Sequence, residues 1–376
     1  MLPAMSSGTY ERLTSSAAGM AFKKLLRQLT PDVTTRLQRT IRAARRTWLE
    51  PVTPILSYEQ LLWHPPPRRH REWPLVAGTA TQKLVAHLTD EDLAVMLSRL
   101  NAEDAAYWER VDDAAQPVLA LHYCVHYQVP GVFERTGLSS AQPPAGVGVT
   151  PHVSLAAGGA FYYADVVADA LAAVGEDIAQ KIRVLDFGCS DGRVVRALAA
   201  AYPNVGWDAC DPDQAAVIWA AATLHGIRFF TSSIEPPLPV PGGRYDYVYA
   251  IGIWTQYSEP AALRWLGEMR RIVRIGGHLL LTAHGYRSLE MHAGGWGGWP
   301  PELVADTAAR LYADGYKFVG GYGKQLSLQL ATRDWGEAFF TPEWLCDHAC
   351  PEWALVEYAP GYIENNHDLY VLERRA

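Results

Sequence analysis

The segment VLDFGCSDG at residues 184–192 constrains the fold of this chain more than any other part of the sequence. It begins with a short apolar run of the length of a buried β-strand. Gly188 and Gly192 then permit a tight turn with little side-chain obstruction, and a helical pattern begins at Arg193. Backbone amides at the start of that helix would face a polar ligand. The segment therefore predicts a strand, a glycine turn and a helix that together hold a ligand.

Four further short apolar runs follow, and segments of helical length and periodicity lie between several of them. Alternating strands and helices form right-handed βαβ units, which build a parallel sheet with helices on both faces. The predicted fold is therefore α/β, with a doubly wound, mostly parallel sheet. The predicted strands lie at residues 184–187, 205–209, 227–231, 247–250 and 279–283, and the predicted helices at 193–201, 214–225 and 261–273.

The first 150 residues have a different, mainly helical pattern. Residues 21–50 are basic and carry apolar side chains at helical spacing, which predicts an amphipathic docking helix or, as the alternative, a partner-binding or membrane-surface element. Thr89-Asp90-Glu91-Asp92 has the pattern of a capped helix start. The loop-forming segment 141–146 then marks a boundary.

We therefore predict two domains. Residues 1–150 form a mainly helical N-terminal domain for acceptor recognition or partner docking. Residues 151–376 form the ligand-binding α/β domain, with a substrate-side insertion at about residues 286–345.

Ligands of an open parallel sheet lie beyond the carboxyl ends of its strands. Asp186 lies at the end of the first predicted strand, where a buried carboxylate must find hydrogen-bond donors. Asp211 ends the second strand, about twenty residues beyond the glycine turn, where an acid can accept both hydroxyls of a ribose. The alternative is that Asp211 caps the helix that begins near Pro212. The turn and the acid together indicate a cofactor that contains a ribose.

From about residue 181 to 285 the chain resembles the class I S-adenosylmethionine-dependent methyltransferases. Residues 184–193 are similar to the first motif of that family, and Asp211 matches its ribose-binding acid. Residues 245–250 are similar to its fourth strand, and residues 263–282 to its helix, double-glycine turn and fifth strand. The resemblance implies a Rossmann-like sheet of seven strands. It also implies S-adenosylmethionine as the cofactor and S-adenosylhomocysteine as its product, and it requires no metal.

The sequence departs from the family pattern in two places. Ser190 stands where the family has its middle glycine, and Ser232 or Ser233 stands where an acid usually follows the third strand. A serine can still hydrogen-bond an adenine edge. Tyr163, on the helix before the first motif, would close over the cofactor. The predicted cofactor-binding residues are Asp186, Gly188, Cys189, Ser190, Gly192, Asp211, Pro212, Ser232, Ser233, Ala250, Ile251 and Tyr163.

An oxygen or nitrogen acceptor that is protonated at neutral pH needs a general base within hydrogen-bond reach. The candidate catalytic residues are His284, directly after the fifth strand, and Tyr257, in the loop after the fourth. The alternative for His284 is a structural histidine. Residues 250–254 lack the Asn or Asp, two prolines and aromatic residue of methylases that act on nucleic-acid amino groups. We therefore expect O- or N-methylation, rather than C-methylation, of an acceptor that is not a nucleic acid.

Aromatic side chains are frequent near and after the predicted fourth and fifth strands. Rings mixed with a few polar groups suit an organic acceptor, although packing between two domains is the alternative. The predicted substrate-binding residues are Trp254, Trp296, Trp299 and Trp335.

Composition limits the partners and the compartment. The net charge of -7 and the pI near 5.9 disfavour a nucleic-acid-binding surface, which needs concentrated Lys and Arg. No uninterrupted apolar stretch is long enough to span a membrane, and no secretory signal pattern precedes the helices, so a cytoplasmic location is expected. Arginine far outnumbers lysine, which favours a bacterial source with a GC-rich genome.

The leading hypothesis is methyl transfer to a small molecule or peptide of bacterial specialised metabolism, by an enzyme that can form a homodimer. One alternative is a nicotinamide-dependent oxidoreductase, which the two rather than three glycines of the turn disfavour. Another is a cofactor-binding interaction module whose basic N-terminal helix holds an acidic carrier domain or a leader peptide.

Overall fold

The computed structural model describes residues 73–148, 154–320 and 334–376. These residues belong to one compact unit of the chain. Within them, no helix is long and apolar enough to cross a membrane. The basic helix predicted at residues 21–50 lies outside the described residues.

Five helices lie between residues 79 and 136, which confirms the helical prediction for the described part of this region. They are α1 (Thr79–Val85), α2 (Asp90–Arg99), α3 (Ala102–Trp108), α4 (Gln116–His126) and α5 (Pro130–Thr136). The predicted capped start is confirmed at α2. The Thr89 side chain accepts a hydrogen bond from the Asp92 backbone, and the Asp92 carboxylate accepts one from the Thr89 backbone at 2.8 Å.

Helices α1 and α4 pack against α6 (Ala160–Ala173) in one apolar core. Asp165 of α6 holds the start of α1: its carboxylate accepts hydrogen bonds from the Gly78 backbone at 3.0 Å and from the Thr81 backbone and hydroxyl at 2.7 and 2.6 Å. The division of the chain into two domains near residue 150 stays a prediction.

A single sheet contains the nine strands of the described residues, and it includes all five predicted strands. The agreement is within a few residues at most strand ends, and β5 is longer than predicted. The strands are β1 (Arg183–Phe187), β2 (Gly206–Asp211), β3 (Ile227–Thr231), β4 (Tyr245–Ala250), β5 (Val273–His284), β6 (Tyr316–Gly320), β7 (Gly336–Phe340), β8 (Trp353–Ile363) and β9 (His367–Arg374).

The strand order confirms a mostly parallel, doubly wound, Rossmann-like sheet. Strands β3, β2, β1, β4 and β5 are parallel neighbours in that order. Strand β9 runs antiparallel to β5, from the pair His278 and Glu373 to the pair His284 and His367, and β8 pairs with β9. The sheet has two strands more than predicted, because the antiparallel pair β6 and β7 adds to the end of β5 where His284 pairs with Phe339.

Helices cover both faces of the sheet. Strand side chains alternate between two apolar cores: Val184 packs in the core beside α6 and α7, and Leu185 packs in the core beside α9. Burying one such side chain stabilises the fold by roughly 1.5–3 kcal/mol. The remaining helices are α7 (Arg193–Ala201), α8 (Gln214–Thr223), α9 (Glu259–Ile272), α10 (Tyr286–Ala293), α11 (Pro301–Asp314) and α12 (Pro342–Ala349).

Candidate active site

A cavity of about 390 Å³ lies at the carboxyl ends of β1, β2 and β4. This volume is in the range of small-molecule sites, roughly 300–1,000 Å³. Strand β1 lies between β2 and β4, so successive connections run to opposite sides of it, and such switch points are where α/β sheets bind ligands. Asp186, Asp211 and Ile251 line the cavity from the ends of these three strands.

The glycine turn after β1 has a backbone that only glycine suits. The amides of Gly188 and Cys189 both donate to the Cys210 carbonyl, at 2.9 and 3.0 Å. Gly188 has φ of +89°, and a Cβ at this position would lie 2.2 Å from Cδ1 of Ile253. Because the position carries no side chain, the Ile253 side chain can pack directly against the backbone of the turn. Ser190 also has a left-handed φ, +49°.

Asp211 lies across from this turn and holds it in place. Its Oδ2 accepts a hydrogen bond from the Ser190 amide at 2.8 Å, and its Oδ1 accepts one from the Asp213 amide at 2.8 Å. The alternative that Asp211 caps the next helix is wrong, because the Asp213 carboxylate caps α8 through the Ala215 and Ala216 amides. Burial raises the pKa of Asp211.

Two more ionisable side chains, Asp186 and Arg193, face the same cavity. Burial raises the pKa of Asp186 to about 8, and the nearby carboxylates of Asp211 and Asp191 act in the same direction. Arg193, the first residue of α7, carries the positive charge among the described residues that line the cavity. Its Nε has no hydrogen-bond partner there, so the guanidinium is available to an anionic group of a ligand.

An aromatic wall forms another side of the cavity. The ring of Tyr257 lies edge-on to Trp335, at 5.5 Å between centroids, and stacks on Trp265 at 6.3 Å. A backbone bridge also joins Tyr257 to Trp335, because the chain before β7 runs beside the loop after β4. Burial raises the pKa of Tyr257 well above its usual value, so its hydroxyl stays protonated at neutral pH.

Tyr163 lines the cavity from α6 and is anchored by the turn between β8 and β9. Its hydroxyl donates to Oε1 of Glu364 at 2.9 Å, and the Glu364 amide donates to the Tyr162 hydroxyl at 3.1 Å. Burial is the main reason that the pKa of Tyr163 is raised, and the Glu364 carboxylate adds to it. These bonds bring a distant part of the chain against the helix that precedes β1.

Two histidines occupy paired positions at the ends of β5 and β9. The rings of His284 and His367 lie 4.9 Å apart, and Phe339 covers His284 at 5.1 Å. His367 lines the cavity, whereas His284 lies behind it with 6% of its surface exposed. Neither Nδ1 has a hydrogen-bond partner in the described part of the chain. Burial lowers the pKa of His284 well below its usual value and that of His367 to about 4.

The match to a known family falls on the strands that build this cavity. Residues 184–277 match the family described as methyltransferase domain. These residues form a class I S-adenosylmethionine-dependent methyltransferase domain. No curated protein matches the chain.

Solved structures similar to this chain share little sequence with it. The PH0226 protein from Pyrococcus horikoshii OT3 is 14% identical over 51% of this chain and 82% of that chain, with a TM-score of 0.38. An O-methyltransferase family protein from Burkholderia thailandensis is 16% identical over 57% of each chain, with a TM-score of 0.36. Human N-acetylserotonin methyltransferase in complex with SAM is 12% identical over 56% of this chain and 52% of that chain, with a TM-score of 0.36. This chain therefore spans just over half the length of the last two proteins.

The cofactor of the methyltransferase domain is S-adenosylmethionine. The residues of the cavity fit it. The Asp211 carboxylate would accept the ribose hydroxyls, the Gly188 backbone would lie beside the chain that bears the sulfur, and the Arg193 guanidinium would face the carboxylate of its methionine part.

The structure brings twelve of the predicted site residues of the methyltransferase domain to the cavity. They include predicted catalytic, cofactor-binding and substrate-binding residues. Tyr257, predicted to be catalytic, lies beside Trp335, predicted to bind substrate. Their individual roles stay predictions. The twelve are Tyr163, Asp186, Gly188, Cys189, Ser190, Asp211, Pro212, Ser232, Ser233, Ile251, Tyr257 and Trp335.

The other six predicted residues lie outside the lining of the cavity. Gly192 caps the start of α7, Ala250 is the last residue of β4, and His284 is the last residue of β5, beside His367. Trp254 is fully buried in the core beside α9. Trp296 and Trp299 pack instead on the ring of His292, with centroids 4.5 and 3.9 Å away.

The cavity of the methyltransferase domain also has lining residues that were not predicted from the sequence. Asp191, Arg193 and Tyr249 lie inside recognised motifs, so the sequence could have predicted that they lie near Asp186. Trp265 also lies in a recognised segment, residues 263–282, whereas His367 has no local signal because an antiparallel strand brings it to the cavity. The full set is Phe187, Asp191, Arg193, Val194, Ile234, Tyr249, Gly252, Ile253, Gln256, Trp265 and His367.

Proposed function

We propose that this chain methylates an oxygen or nitrogen atom of a small-molecule or peptide acceptor in bacterial specialised metabolism. One observation supports this above the others: a single cavity joins the cofactor-side groups Asp211 and Arg193 to an aromatic wall that includes Trp335. Bound S-adenosylmethionine supplies a methyl group already activated by a positively charged sulfur. The protein therefore has to align the acceptor with that methyl and keep water out.

The aromatic wall suits a planar organic acceptor. Trp335 and Tyr257 offer ring faces and edges, and the buried Nε1 of Trp335 has no hydrogen-bond partner in the described residues, so an acceptor oxygen could take that bond. Because its pKa is raised, the Tyr257 hydroxyl would donate a hydrogen bond to the acceptor rather than remove its proton. Proton removal is thus left to a histidine, and His284 is the residue that the sequence suggests.

The acceptor can be found by comparing metabolites. Extracts of a bacterial producer with and without the gene are analysed by mass spectrometry for compounds that gain one methylene unit. We expect at least one such pair, and the purified chain with S-adenosylmethionine should then convert the lighter member. Normal binding of S-adenosylhomocysteine without any methylated product in a broad acceptor panel would favour a cofactor-binding interaction module instead.

The cofactor side is tested with Asp211→Ala. Loss of a charged hydrogen-bond acceptor typically costs about 1.5–3 kcal/mol, so the Kd of S-adenosylhomocysteine measured by calorimetry should rise roughly 10- to 100-fold. Asp213→Ala is the matched control, because this neighbouring carboxylate caps α8 and does not line the cavity.

We expect the Kd of the control to stay within about threefold of the wild type, since it loses only a helix cap. Equal weakening in both variants would contradict a direct role for Asp211. Tight binding of a nicotinamide cofactor without any response to S-adenosylhomocysteine would instead support the oxidoreductase alternative.

A further inference from the structure

His367 is a titratable side chain of the cavity with no role in the reaction described so far. It begins β9 and reaches the cavity from the antiparallel strand beside β5. Its Nδ1 is buried and has no hydrogen-bond partner in the described residues. Since the ring lines the cavity while Nδ1 is buried, Nε2 is the nitrogen left for a ligand.

We propose that His367, and not His284, is the general base that removes the proton from the methyl acceptor. This inference rests on the proposed function and assigns the base within it. A general base has to lie within hydrogen-bond reach of the proton that it takes. His367 lines the cavity, whereas His284 does not line it and packs on the rings of His367 and Phe339, with centroids 4.9 and 5.1 Å away.

The step balances without any further reactant. The acceptor oxygen or nitrogen forms a bond to the methyl carbon, and the bond from that carbon to sulfur breaks. The electron pair of the broken bond stays on sulfur and neutralises its positive charge. The proton of the acceptor moves to Nε2 of His367, and it leaves to water after the product has departed.

The surroundings of His367 keep its ring neutral. Burial lowers its pKa to about 4, so the lone pair on one nitrogen is free throughout the neutral range. His284 from β5 faces it and is also neutral, since burial lowers its pKa well below the usual value and the neighbouring His367 and His292 lower it further. The other titratable groups that line the cavity are Tyr163, Asp186, Cys189, Asp191, Arg193, Asp211, Tyr249 and Tyr257.

Chemical labelling tests the position of His367 before any acceptor is known. Diethyl pyrocarbonate reacts with neutral, accessible imidazoles, and peptide mass spectrometry shows which histidines of the full chain carry the label. We expect label on His367 and on the exposed His225, and none on His284 until the protein is denatured. Label on His284 in place of His367 would overturn the proposal.

The pH dependence of the labelling is a second readout. A free imidazole with a pKa near 6.5 loses most of its neutral form between pH 7.5 and pH 5.5, so N-acetylhistidine should react about tenfold more slowly at the lower pH. The pKa of His367 is near 4, so its labelling rate should fall by less than twofold. Absence of label on His367 at both pH values, with His225 labelled normally, would contradict the proposal.

Kinetics with the acceptor from the metabolite comparison complete the test. His367→Gln should lower kcat about 100-fold or more, with the KM of the acceptor and the Kd of S-adenosylhomocysteine changed less than about threefold. His225→Gln is the control, because this exposed histidine does not line the cavity. A kcat for His367→Gln within threefold of the wild type would overturn the proposal.

The two proposals fail in different ways. Loss of S-adenosylhomocysteine binding, or absence of any methylated product, counts against the proposed function, and the labelling pattern still decides where His367 lies. Normal methylation with an unlabelled His367 counts against this inference alone.

Discussion

Gly188 shows how strictly one residue can be fixed by its surroundings. Its left-handed φ suits glycine, and Ile253 occupies the space that a Cβ would need. The sequence predicts this glycine and Asp211 because both lie next to a strand end, where spacing along the chain determines position. Spacing from a strand end does not predict the position of Trp254. Its ring lies in the core because α9 packs against it.

Gly188→Ala should therefore weaken cofactor binding at least tenfold. The new Cβ would collide with Ile253 and move either the turn or the loop after β4. Gly226→Ala is the matched control, since Gly226 has a similar φ of +79° but open space around the missing Cβ. Both variants should lose about 1–2 kcal/mol of unfolding free energy to the left-handed backbone. Only Gly188→Ala should raise the Kd of S-adenosylhomocysteine in calorimetry, and a normal Kd would show that the turn does not contact the cofactor.

Some helices and strands are held together by side chains that are distant in the sequence, and local sequence patterns do not predict these contacts. The start of α2 was predictable because Thr89 and Asp92 are three residues apart, as a capping box requires. The start of α1 is held instead by Asp165, which comes from α6 and caps it across the core. Strand β9 is a similar case, since its position beside β5 follows from pairing between distant segments.

The tie between α6 and α1 should make stability depend on pH in a defined direction. Burial raises the pKa of Asp165 to about 6, so the folded chain holds a proton that the unfolded chain has released, and the unfolding free energy falls as pH rises from about 4 to about 7. Asp165→Asn lacks this group. Urea unfolding measures this effect. Between pH 4.5 and pH 7.5 the unfolding free energy of the wild type should fall by about 2 kcal/mol relative to that of Asp165→Asn.

Asp306→Asn serves as a control of sign for this experiment. Asp306 is exposed, and its hydrogen bond to Lys317 lowers the pKa of its carboxyl. Its contribution to stability is therefore present above the usual carboxyl pKa and is lost as pH falls. As pH rises, the unfolding free energy of the wild type should increase slightly relative to that of Asp306→Asn. A decrease like the one expected relative to Asp165→Asn would mean that the pH effect does not come from Asp165.

At the scale of the whole molecule, one ligand site draws on segments spread over about two hundred residues. Alternating apolar runs predict the sheet well, because the residues that form each strand and the helix after it are neighbours in the sequence. The cavity walls outside the cofactor loops cannot be predicted in this way. Trp335 and His367 reach the cavity through β7 and β9, and the pairing of those strands with β5 is a property of the assembled sheet.

Binding of S-adenosylhomocysteine should protect all of these segments together. At a ligand concentration of 100 times Kd, the unfolding free energy should rise by about 2.7 kcal/mol. Hydrogen exchange followed by mass spectrometry should slow in peptides that contain residues 186–194, 211–213 and 251–257, which line the cavity or border it. Helices α2 and α3, which do not line it, should exchange at an unchanged rate. Protection confined to α2 and α3 would place the ligand elsewhere.

The hydrogen bonds between Glu364 and the two tyrosines of α6 join residues about two hundred positions apart. A ribosome therefore releases the glycine turn and Asp211 long before the turn between β8 and β9 emerges. Until then the growing chain has the loops for the cofactor but lacks both the anchor for Tyr163 and the strand that carries His367. Pairing over such a long separation is also slow, because a large loop has to close first. During synthesis, the ability to hold S-adenosylmethionine should thus arise before the ability to use it.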